Sequence, residues 1–297
     1  MTENTKSLDP SKPLEQSKPL EQFYRQPSIY ITLPSKGKWY DKTVLTPTEN
    51  SEYPVYPMTA NDEMLMKTPD ALMGGSATVD VIQSCMPNFK NAWEIVNFDL
   101  DAILIAIRIA TYGESMTLKY TLPVVNEQAE TTVNVSSLLE GVKNVNIEDK
   151  FTTKIGLKVT VGPLRYQEMN RVQIAQFEQQ KIYSNLNMNS ISDEEKSKQF
   201  AKSYKILNDI NFNMLADSLV EIETPKGQKA TSREEIKNFI NNCNTVLVRE
   251  IEDKVTEIRS TGQMRNIKIK ATDEQVVRGV PTTYEIPLTF DNSNFFA

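Results

Sequence analysis

Histidine is absent from this 297-residue chain. It is the commonest general base of enzymes and the commonest nitrogen ligand of protein-bound metals. Serine and cysteine nucleophiles also normally use it as their partner base. We therefore expect no catalytic residue, no bound metal and no cofactor in this protein.

Cysteine is also scarce. The two cysteines, Cys85 and Cys243, lie far apart in apolar helical patterns, which is typical of reduced core residues and not of a disulfide framework. The first residues, MTENTKSLDPSKPLEQ, lack the basic start and apolar run of a signal peptide. These features predict a protein that folds in a cytoplasm.

Positive charge is in the minority, because 33 lysine and arginine residues face 39 aspartate and glutamate residues, a formal net charge of −6. Nucleic-acid binding depends on positive side chains that contact phosphate. The only adjacent glycines, Gly74 and Gly75, precede Ser-Ala-Thr and not the Lys-Ser/Thr of a phosphate loop. We expect neither a nucleic acid nor a nucleotide as the ligand.

One stretch, DLDAILIAIRIATYGE at residues 99–114, is almost entirely apolar. Asp99 is expected to cap this helix and Gly113 to end it, which leaves about thirteen residues where a bilayer needs about twenty. Membrane insertion is therefore not expected. Apolar residues on more than one face predict a buried central helix. We interpret Asp101 and Arg108, seven residues apart, as its wet side or as a structural ion pair.

Elsewhere, alternating apolar residues predict strands, and apolar residues three or four apart predict helices. The expected β elements are paired strands at 29–33 and 53–58, a hairpin at 116–135, a strand at 151–164 and a closing hairpin at 266–271 and 283–290. The expected long helices are 166–183, 192–222 and 231–258. The last helix is expected to carry one apolar stripe, formed by Ile236, Phe239, Cys243, Val246 and Leu247.

Helix starts are predicted from residues whose side chains accept hydrogen bonds from free backbone N–H groups. In the helix after Gly75, three residues at helical spacing, Val79, Ile82 and Cys85, are expected to share one buried face. The expected N-caps are Thr59 or Asn61, Ser76, and two capping boxes, Ser192 with Glu195 and Thr231 with Glu234.

These patterns predict an α+β fold with small β elements and a buried central helix in the N-terminal half, long helices in the C-terminal half and a closing β-hairpin. Residues 1–26 are expected to form a flexible arm, in which SKPLEQ occurs at 11–16 and again at 17–22. A duplicated linker and a partner motif both fit this repeat. The other predicted parts are an α+β domain with a hairpin insertion (27–164), a helical region (165–262) and a C-terminal β-hairpin and tail (263–297).

Two aromatic pairs are candidates for partner contact, Trp39 with Tyr40 and Phe295 with Phe296. The second pair lies next to the last residue, so it is expected to dock either back onto the fold or into another protein. Of the two, docking back onto the fold is favoured, because exposed aromatic ends promote aggregation.

Four segments together, LPSKGKWYD, YPMTANDEMLM, RIATYGESM and PLTFDNSNFF, resemble the baseplate hub proteins of contractile-tailed phages of the T-even type. The resemblance runs from about residue 29 to residue 297. It implies signature positions of fold or assembly with no catalytic role. These positions are Leu33, Pro34, Ser35, Gly37, Pro57, Met58, Thr59, Glu63, Asp101, Arg108, Thr111, Tyr112 and Gly113, with Phe290, Phe295 and Phe296 at the end.

The resemblance also implies paired cysteines, held as zinc ribbons, in the hairpin after TYG and in the closing hairpin. Neither segment of this chain contains cysteine or histidine, so no zinc site is expected.

The resemblance implies a non-enzymatic structural component of the baseplate hub, assembled in the host cytoplasm and retained in the virion tail. Its partners would be other phage tail and baseplate proteins, with copies of itself as a further candidate. A transient assembly chaperone that leaves before the virion matures is the alternative. An unrecognised enzyme is a remote third.

Overall fold

The computed structural model describes residues 19–68, 74–188, 192–264, 266–288 and 295–296. Helices and short strands alternate through these ranges, which confirms the predicted α+β class. The α-helices are α1 (Ala60–Met66), α2 (Ser76–Cys85), α3 (Asn97–Tyr112), α4 (Val135–Lys143), α5 (Tyr166–Met188), α6 (Asp193–Asp217), α7 (Arg233–Asn242), α8 (Thr245–Arg259) and α9 (Asp273–Val277).

The strands form three two-stranded sheets and one four-stranded sheet, all antiparallel in the described ranges. The pairs are β1–β2, β3–β4 and β9–β10, and the larger sheet has the order β5-β6-β7-β8. The strands are β1 (Ile29–Ile31), β2 (Tyr53–Val55), β3 (Ser115–Thr121), β4 (Gln128–Asn134), β5 (Lys150–Thr152), β6 (Lys158–Val161), β7 (Leu219–Glu223), β8 (Lys229–Ala230), β9 (Asn266–Lys270) and β10 (Thr283–Pro287).

Helix α3 is the centre of the N-terminal half. All residues from 102 to 109 are buried, which confirms the central helix expected from its apolar faces. Gly113 ends the helix with φ at 84°, as predicted. The predicted start is wrong, because Val96 is the N-cap residue and Asp99 lies in the first turn. Val96 is still held in an extended conformation by a β-bridge to Arg165, so the helix begins immediately after it.

Helices α1 and α2 pack beside α3 with β1 and β2. Thr59 caps α1 in a capping box with Asp62, which confirms the first of its two predicted caps. At α2 the N-cap residue is Gly75 and not Ser76. Gly75 has φ at 77°, a left-handed conformation that favours glycine over serine. The three apolar residues predicted to share one face of α2 are buried, as expected.

The predicted hairpins β3–β4 and β9–β10 are both present and pack against each other. Their shared core includes the hydroxyls of Tyr120 and Tyr284, which lie 2.8 Å apart. The loop between β9 and β10 contains helix α9, which the sequence patterns missed although Thr272 and Gln275 form a capping box there. The remaining core residues of this unit are Leu122, Ala271, Val280 and Ile286.

The four-stranded sheet differs from the predicted elements. Residues 151–164 form two strands, β5 and β6, because a turn with Gly156 reverses the chain between them. The expected helix 192–222 ends at Asp217, and its last residues form β7, which pairs with β6. The sheet therefore joins residues on both sides of the predicted boundary between the α+β domain (27–164) and the helical region (165–262).

The expected helix 231–258 is two helices. Cys243 is extended at the end of α7, and Asn244 caps α8 by accepting a hydrogen bond from the Leu247 backbone N–H. The predicted stripe is broken at this point, and Val246 is 75% exposed. The predicted capping box of Thr231 and Glu234 is also wrong, because α7 has Ser232 as its N-cap residue and no side-chain cap.

Helices α5 and α6 form a long hairpin, about 35 and 38 Å in length at 1.5 Å per residue. Ser192 caps α6 by accepting a hydrogen bond from the backbone N–H of Glu195, as the sequence predicts. Among the described residues, none of the helices combines the length and apolar character that crossing a membrane requires.

Candidate functional site

The first signature segment, at residues 33–40, closes over the start of α3. The Ser35 backbone N–H donates to Asp99 Oδ1 at 2.7 Å, and the Ser35 hydroxyl donates to Asp99 Oδ2 at 2.5 Å. The Tyr40 hydroxyl also donates to Asp99 Oδ2 at 2.7 Å and accepts from the Val96 N–H. Leu33 and Pro34 are buried, and Gly37 lies in the turn that brings Tyr40 back to the helix. We call this set of contacts the first clamp.

Burial dominates the electrostatics of the first clamp. It raises the pKa of Asp99 to about 6, and the hydrogen bonds from Ser35 and Tyr40 offset part of that rise. Burial, followed by the nearby charge of Asp99, raises the pKa of the Tyr40 hydroxyl well above its ordinary value. All three hydrogen-bond donors point at the Asp99 carboxylate. Its oxygens therefore have a structural role, which is to hold Ser35 and Tyr40 at the start of α3.

The second signature segment, at residues 57–63, closes over the end of α3. The Met58 backbone N–H donates to Thr111 Oγ1 at 2.9 Å, and the Tyr112 hydroxyl donates to Glu63 Oε1 at 2.9 Å. Burial raises the pKa of Tyr112 to about 12, and the hydrogen bond to Glu63 adds to that rise. We call these contacts the second clamp. The TYG segment (residues 111–113) is therefore hydrogen-bonded to the TANDE segment (residues 59–63) through Tyr112 and Glu63.

Asp101 and Arg108 do not form the wet side expected of them, because Arg108 is buried. Its guanidinium donates to the backbone oxygens of Gly113 and Ser115, at 3.2 Å each, and lies over the ring of Tyr112. Asp101 accepts a hydrogen bond from the Met264 N–H at 2.7 Å. Seven residues of helix separate the two by about 10 Å, too far for the predicted ion pair.

Arg25 is a structural residue that the sequence patterns did not reveal. It lies within the stretch expected to be a flexible arm, yet its Nη1 donates to the Pro57 backbone oxygen at 2.6 Å. Its Nη2 donates to the backbone oxygen and hydroxyl of Ser84 at 2.8 Å, and it forms an ion pair with Asp62. No spacing rule pairs an arginine with residues 37 and 59 positions away, so only the tertiary structure shows this anchor.

Phe295 and Phe296 are buried by this chain, with exposures of 0% and 4%. Their rings pack at 5.0 Å in an edge-to-face arrangement within the core around α3. Of the two expectations for this pair, the structure shows the favoured one, docking back onto the fold, and the candidate partner contact by Phe295 and Phe296 is wrong. Phe290, which the resemblance also marks, lies outside the described residues.

Trp39 and Tyr40, the other interface candidates, are half-buried. Trp39 packs on Phe98 at 5.2 Å, and the Lys38 ammonium lies 4.6 Å from the Trp39 ring. The hydroxyl of Tyr40 already belongs to the first clamp. A partner contact by their remaining surface stays a prediction.

The hairpin of α5 and α6 carries apolar side chains on its outside. Tyr204 is 65% exposed, and Phe177, Ile182 and Phe200 are each more than a third exposed. At the base of the hairpin, α7 closes a groove of about 470 Å³ with an apolar floor and charged residues at its rim. Within the described ranges, no three His, Cys, Asp or Glu side chains come together as a metal site would require.

Comparison with known proteins places the chain in a family. No curated protein and no solved structure gives a significant match. A family model described as T4 bacteriophage base plate protein matches residues 26–283, a range that contains both clamps. Because the match covers well over half of the chain, the protein belongs to the T4 bacteriophage base plate protein family.

Proposed function

We propose that the protein is a non-enzymatic structural component of the baseplate hub, which acts by protein–protein assembly. Family membership supports a structural role in a phage baseplate, with other phage tail proteins as partners. The observation that carries the proposal is that polar groups of the signature segments form hydrogen bonds within the fold. Ser35, Tyr40, Glu63, Thr111 and Tyr112 bond groups at the two ends of α3 and brace a scaffold.

The surface that supports assembly is the outside of the α5–α6 hairpin. Its exposed aromatic and aliphatic residues offer apolar area that a neighbouring subunit could bury. Phe295 and Phe296 are not proposed as partner contacts, because both are in the core. The proposed partners are other baseplate and tail proteins, and copies of this chain, met during assembly in the host cytoplasm.

The test is quantitative mass spectrometry of mature particles and of assembly intermediates from the same infection. A hub component is expected in both, at a fixed ratio to other baseplate proteins. Presence in intermediates alone would instead identify a transient assembly chaperone, which would use the same exposed hairpin. Absence from both would contradict an assembly role.

The remote alternative, an unrecognised enzyme, has its own test. Native mass spectrometry and elemental analysis of the purified protein would reveal a stoichiometric metal or nucleotide. We expect neither, because histidine is absent from the sequence and the carboxylates at the ends of α3 are engaged in structural bonds.

A further inference from the structure

The α5–α6 hairpin is attached to the rest of the described chain near its base. There the Asn170 amide donates to the Gly74 backbone oxygen at 2.8 Å, and Arg259 donates to the Met214 backbone oxygen at 3.0 Å. The outer part of the hairpin, which we define as the described residues between 176 and 209, extends about 20 Å beyond these contacts, at 1.5 Å per residue of α5. A neighbouring molecule can therefore reach it.

The outer part of the hairpin has polar side chains in its interior and apolar ones on its surface. Among its described side chains, those that are buried are Gln179 and Ser203, and Gln179 Oε1 accepts no hydrogen bond from a described residue. Ile182 and Tyr204 are exposed instead. A helix in water normally buries its apolar side and exposes its polar side. The exposed apolar residues therefore indicate a surface that is covered in an assembly.

Two opposite charges lie on the same side of Tyr204 along α6. At 100° per residue, Glu194 points about 80° and Lys205 about 100° to one side of Tyr204. The two charges are about 17 Å apart along the helix axis. Glu194 also pairs with Lys198 at 2.8 Å, but both side chains of this pair are exposed, so the pair contributes little to stability and can rearrange.

This spacing is complementary to a second copy of the same helix. In an antiparallel helix pair related by a twofold axis, residues on the same side of the two contact stripes face each other. With the axis midway between positions 194 and 205, each Glu194 lies opposite Lys205 of the second copy. The same register places Phe200 next to the axis. One pair of opposite charges then lies on each side of the axis.

We propose that two copies of this chain pair through the outer parts of their α5–α6 hairpins, with α6 antiparallel to α6 of the second copy. Tyr204 and Phe200 supply the apolar centre of the contact, and two Glu194–Lys205 pairs at its rim set the register. This inference rests on the proposed assembly function and names a second copy as the partner of the hairpin surface.

Zero-length carbodiimide cross-linking of the full-length protein tests the pairing. Within one helix Glu194 and Lys205 are about 17 Å apart, too far for an amide bond, so their cross-link forms between two molecules. In a mixture of unlabelled and ¹⁵N-labelled protein, mixed-label products are expected for this cross-link. The cross-link of Glu194 to Lys198, which forms within one molecule, is the control for the reagent. The control cross-link without the Glu194–Lys205 product would overturn the pairing.

Charge reversal tests the register. Glu194→Lys and Lys205→Glu each place like charges opposite each other in a homodimer, so either change alone should raise the dissociation constant about tenfold in sedimentation equilibrium. An equimolar mixture of the two variants should form heterodimers, because one pair then has both charges reversed and the other is the native pair. A mixture that forms no heterodimer would contradict the proposed register.

Lys202→Glu is the matched control for Lys205→Glu. It makes the same change of charge on the same helix, but Lys202 points about 160° away from Tyr204. The dissociation constant should therefore stay at the wild-type value. Equal weakening by both changes would show an effect of net charge and would overturn the assigned pair. Circular dichroism of each variant checks that the helices remain folded.

The outcome for self-pairing is separate from the outcome for the proposed hub role. A contact of this size is expected to be weak, with a dissociation constant on the order of 10 μM. Wild-type protein that stays monomeric at roughly 100 μM would overturn self-pairing, even when mass spectrometry finds the protein in mature particles. If Tyr204→Asp then still lowered incorporation into particles, this face would bind a different tail protein.

Discussion

The hydrogen bonds from Ser35 and Tyr40 in the first clamp all end on one carboxylate, that of Asp99. It is fully buried, and its hydrogen-bond donors belong to Ser35 and Tyr40, which lie in another part of the chain. The sequence pattern predicted Asp99 only as the cap of this helix. Burial is therefore what gives this residue its unusual pKa, and it also makes the residue testable by pH.

The pH dependence of stability should change when Asp99 is replaced by Asn. The folded pKa of about 6 lies above the ordinary value of 3.8, so the folded state holds the proton more tightly. The stabilisation that this provides is complete below about pH 4 and is lost as the pH rises through about 6. Between pH 7.5 and 4.5, the wild type should gain about 2 kcal/mol relative to Asp99→Asn.

Urea unfolding of both proteins at several pH values measures this difference. Subtracting the variant from the wild type removes the contribution of carboxylates that titrate in both proteins, such as Glu140 and Glu223. A stability difference that stays constant from pH 7.5 to 4.5 would contradict the raised pKa of Asp99.

A second prediction at the residue scale concerns the contribution of Phe295 to the free energy of unfolding. Its ring is fully buried in the core around α3, so Phe295→Ala should lower the free energy of unfolding by about 3–5 kcal/mol. Val277→Ala is the control, because Val277 is 87% exposed and should change stability by less than about 0.5 kcal/mol. If chemical denaturation gave similar small effects for both variants, the tail would not be part of the core.

At the scale of elements, the residue at the start of α2 depends on a neighbouring helix, α5. Gly75 has a left-handed backbone, and a Cβ placed there would lie 2.8 Å from the side chain of Asn170 on α5. The sequence pattern favoured Ser76 as the cap because it considers only the helix itself. The left-handed backbone and the close Asn170 side chain together favour glycine at position 75.

Gly75→Ala should therefore destabilise the protein by at least about 1–2 kcal/mol, from the left-handed backbone alone. Gly141→Ala is a matched control within helix α4, where φ is not left-handed and no atom lies within 4 Å of an added Cβ. That change should stabilise the protein by up to about 1 kcal/mol. Thermal unfolding compares the two, and equal effects would contradict the requirement for glycine at position 75.

Local sequence patterns predicted some boundaries of helices and strands but not those that depend on distant residues. Caps formed by neighbouring residues, such as Thr59, Ser192 and Gly113, were predicted correctly. The break at Cys243 and the strand β7 were missed, because helix-like spacing continues through both segments. In the structure, β7 is a strand because it pairs with β6, which lies about sixty residues earlier in the chain.

At the scale of the whole molecule, the exposed α5–α6 hairpin is the surface on which the proposed assembly function rests. Tyr204→Asp places a charge on an aromatic side chain of this hairpin that is 65% exposed. We expect incorporation into particles to fall severalfold while the free energy of unfolding changes by less than about 0.5 kcal/mol. Complementation of a phage that lacks the protein, followed by particle counting, measures incorporation.

Gln199→Asp is the control for this experiment. Gln199 is exposed on the same helix but points about 140° away from Tyr204 at 100° per residue. If both variants assembled as well as the wild type, the face of α6 that carries Tyr204 would not be an assembly surface.

The sequence alone determined those features that depend on near neighbours in the chain. The apolar faces of α3, the alternation of β3 and β4 and the closing hairpin follow from local periodicity, and all are present. The α+β class follows from these elements. The resemblance to a phage baseplate family, now supported by the match over residues 26–283, also depended on residues read in order.

Only the tertiary structure decided which distant residues meet. Arg25 binds Ser84, Asp99 receives Ser35 and Tyr40, and Phe295 enters the core, and each contact joins segments more than fifty residues apart. Helix periodicity and turn chemistry act over a few residues, whereas burial and hydrogen bonding select partners by position in space. The signature residues were therefore recognisable in the sequence, but their role as clamps on one buried helix required the fold.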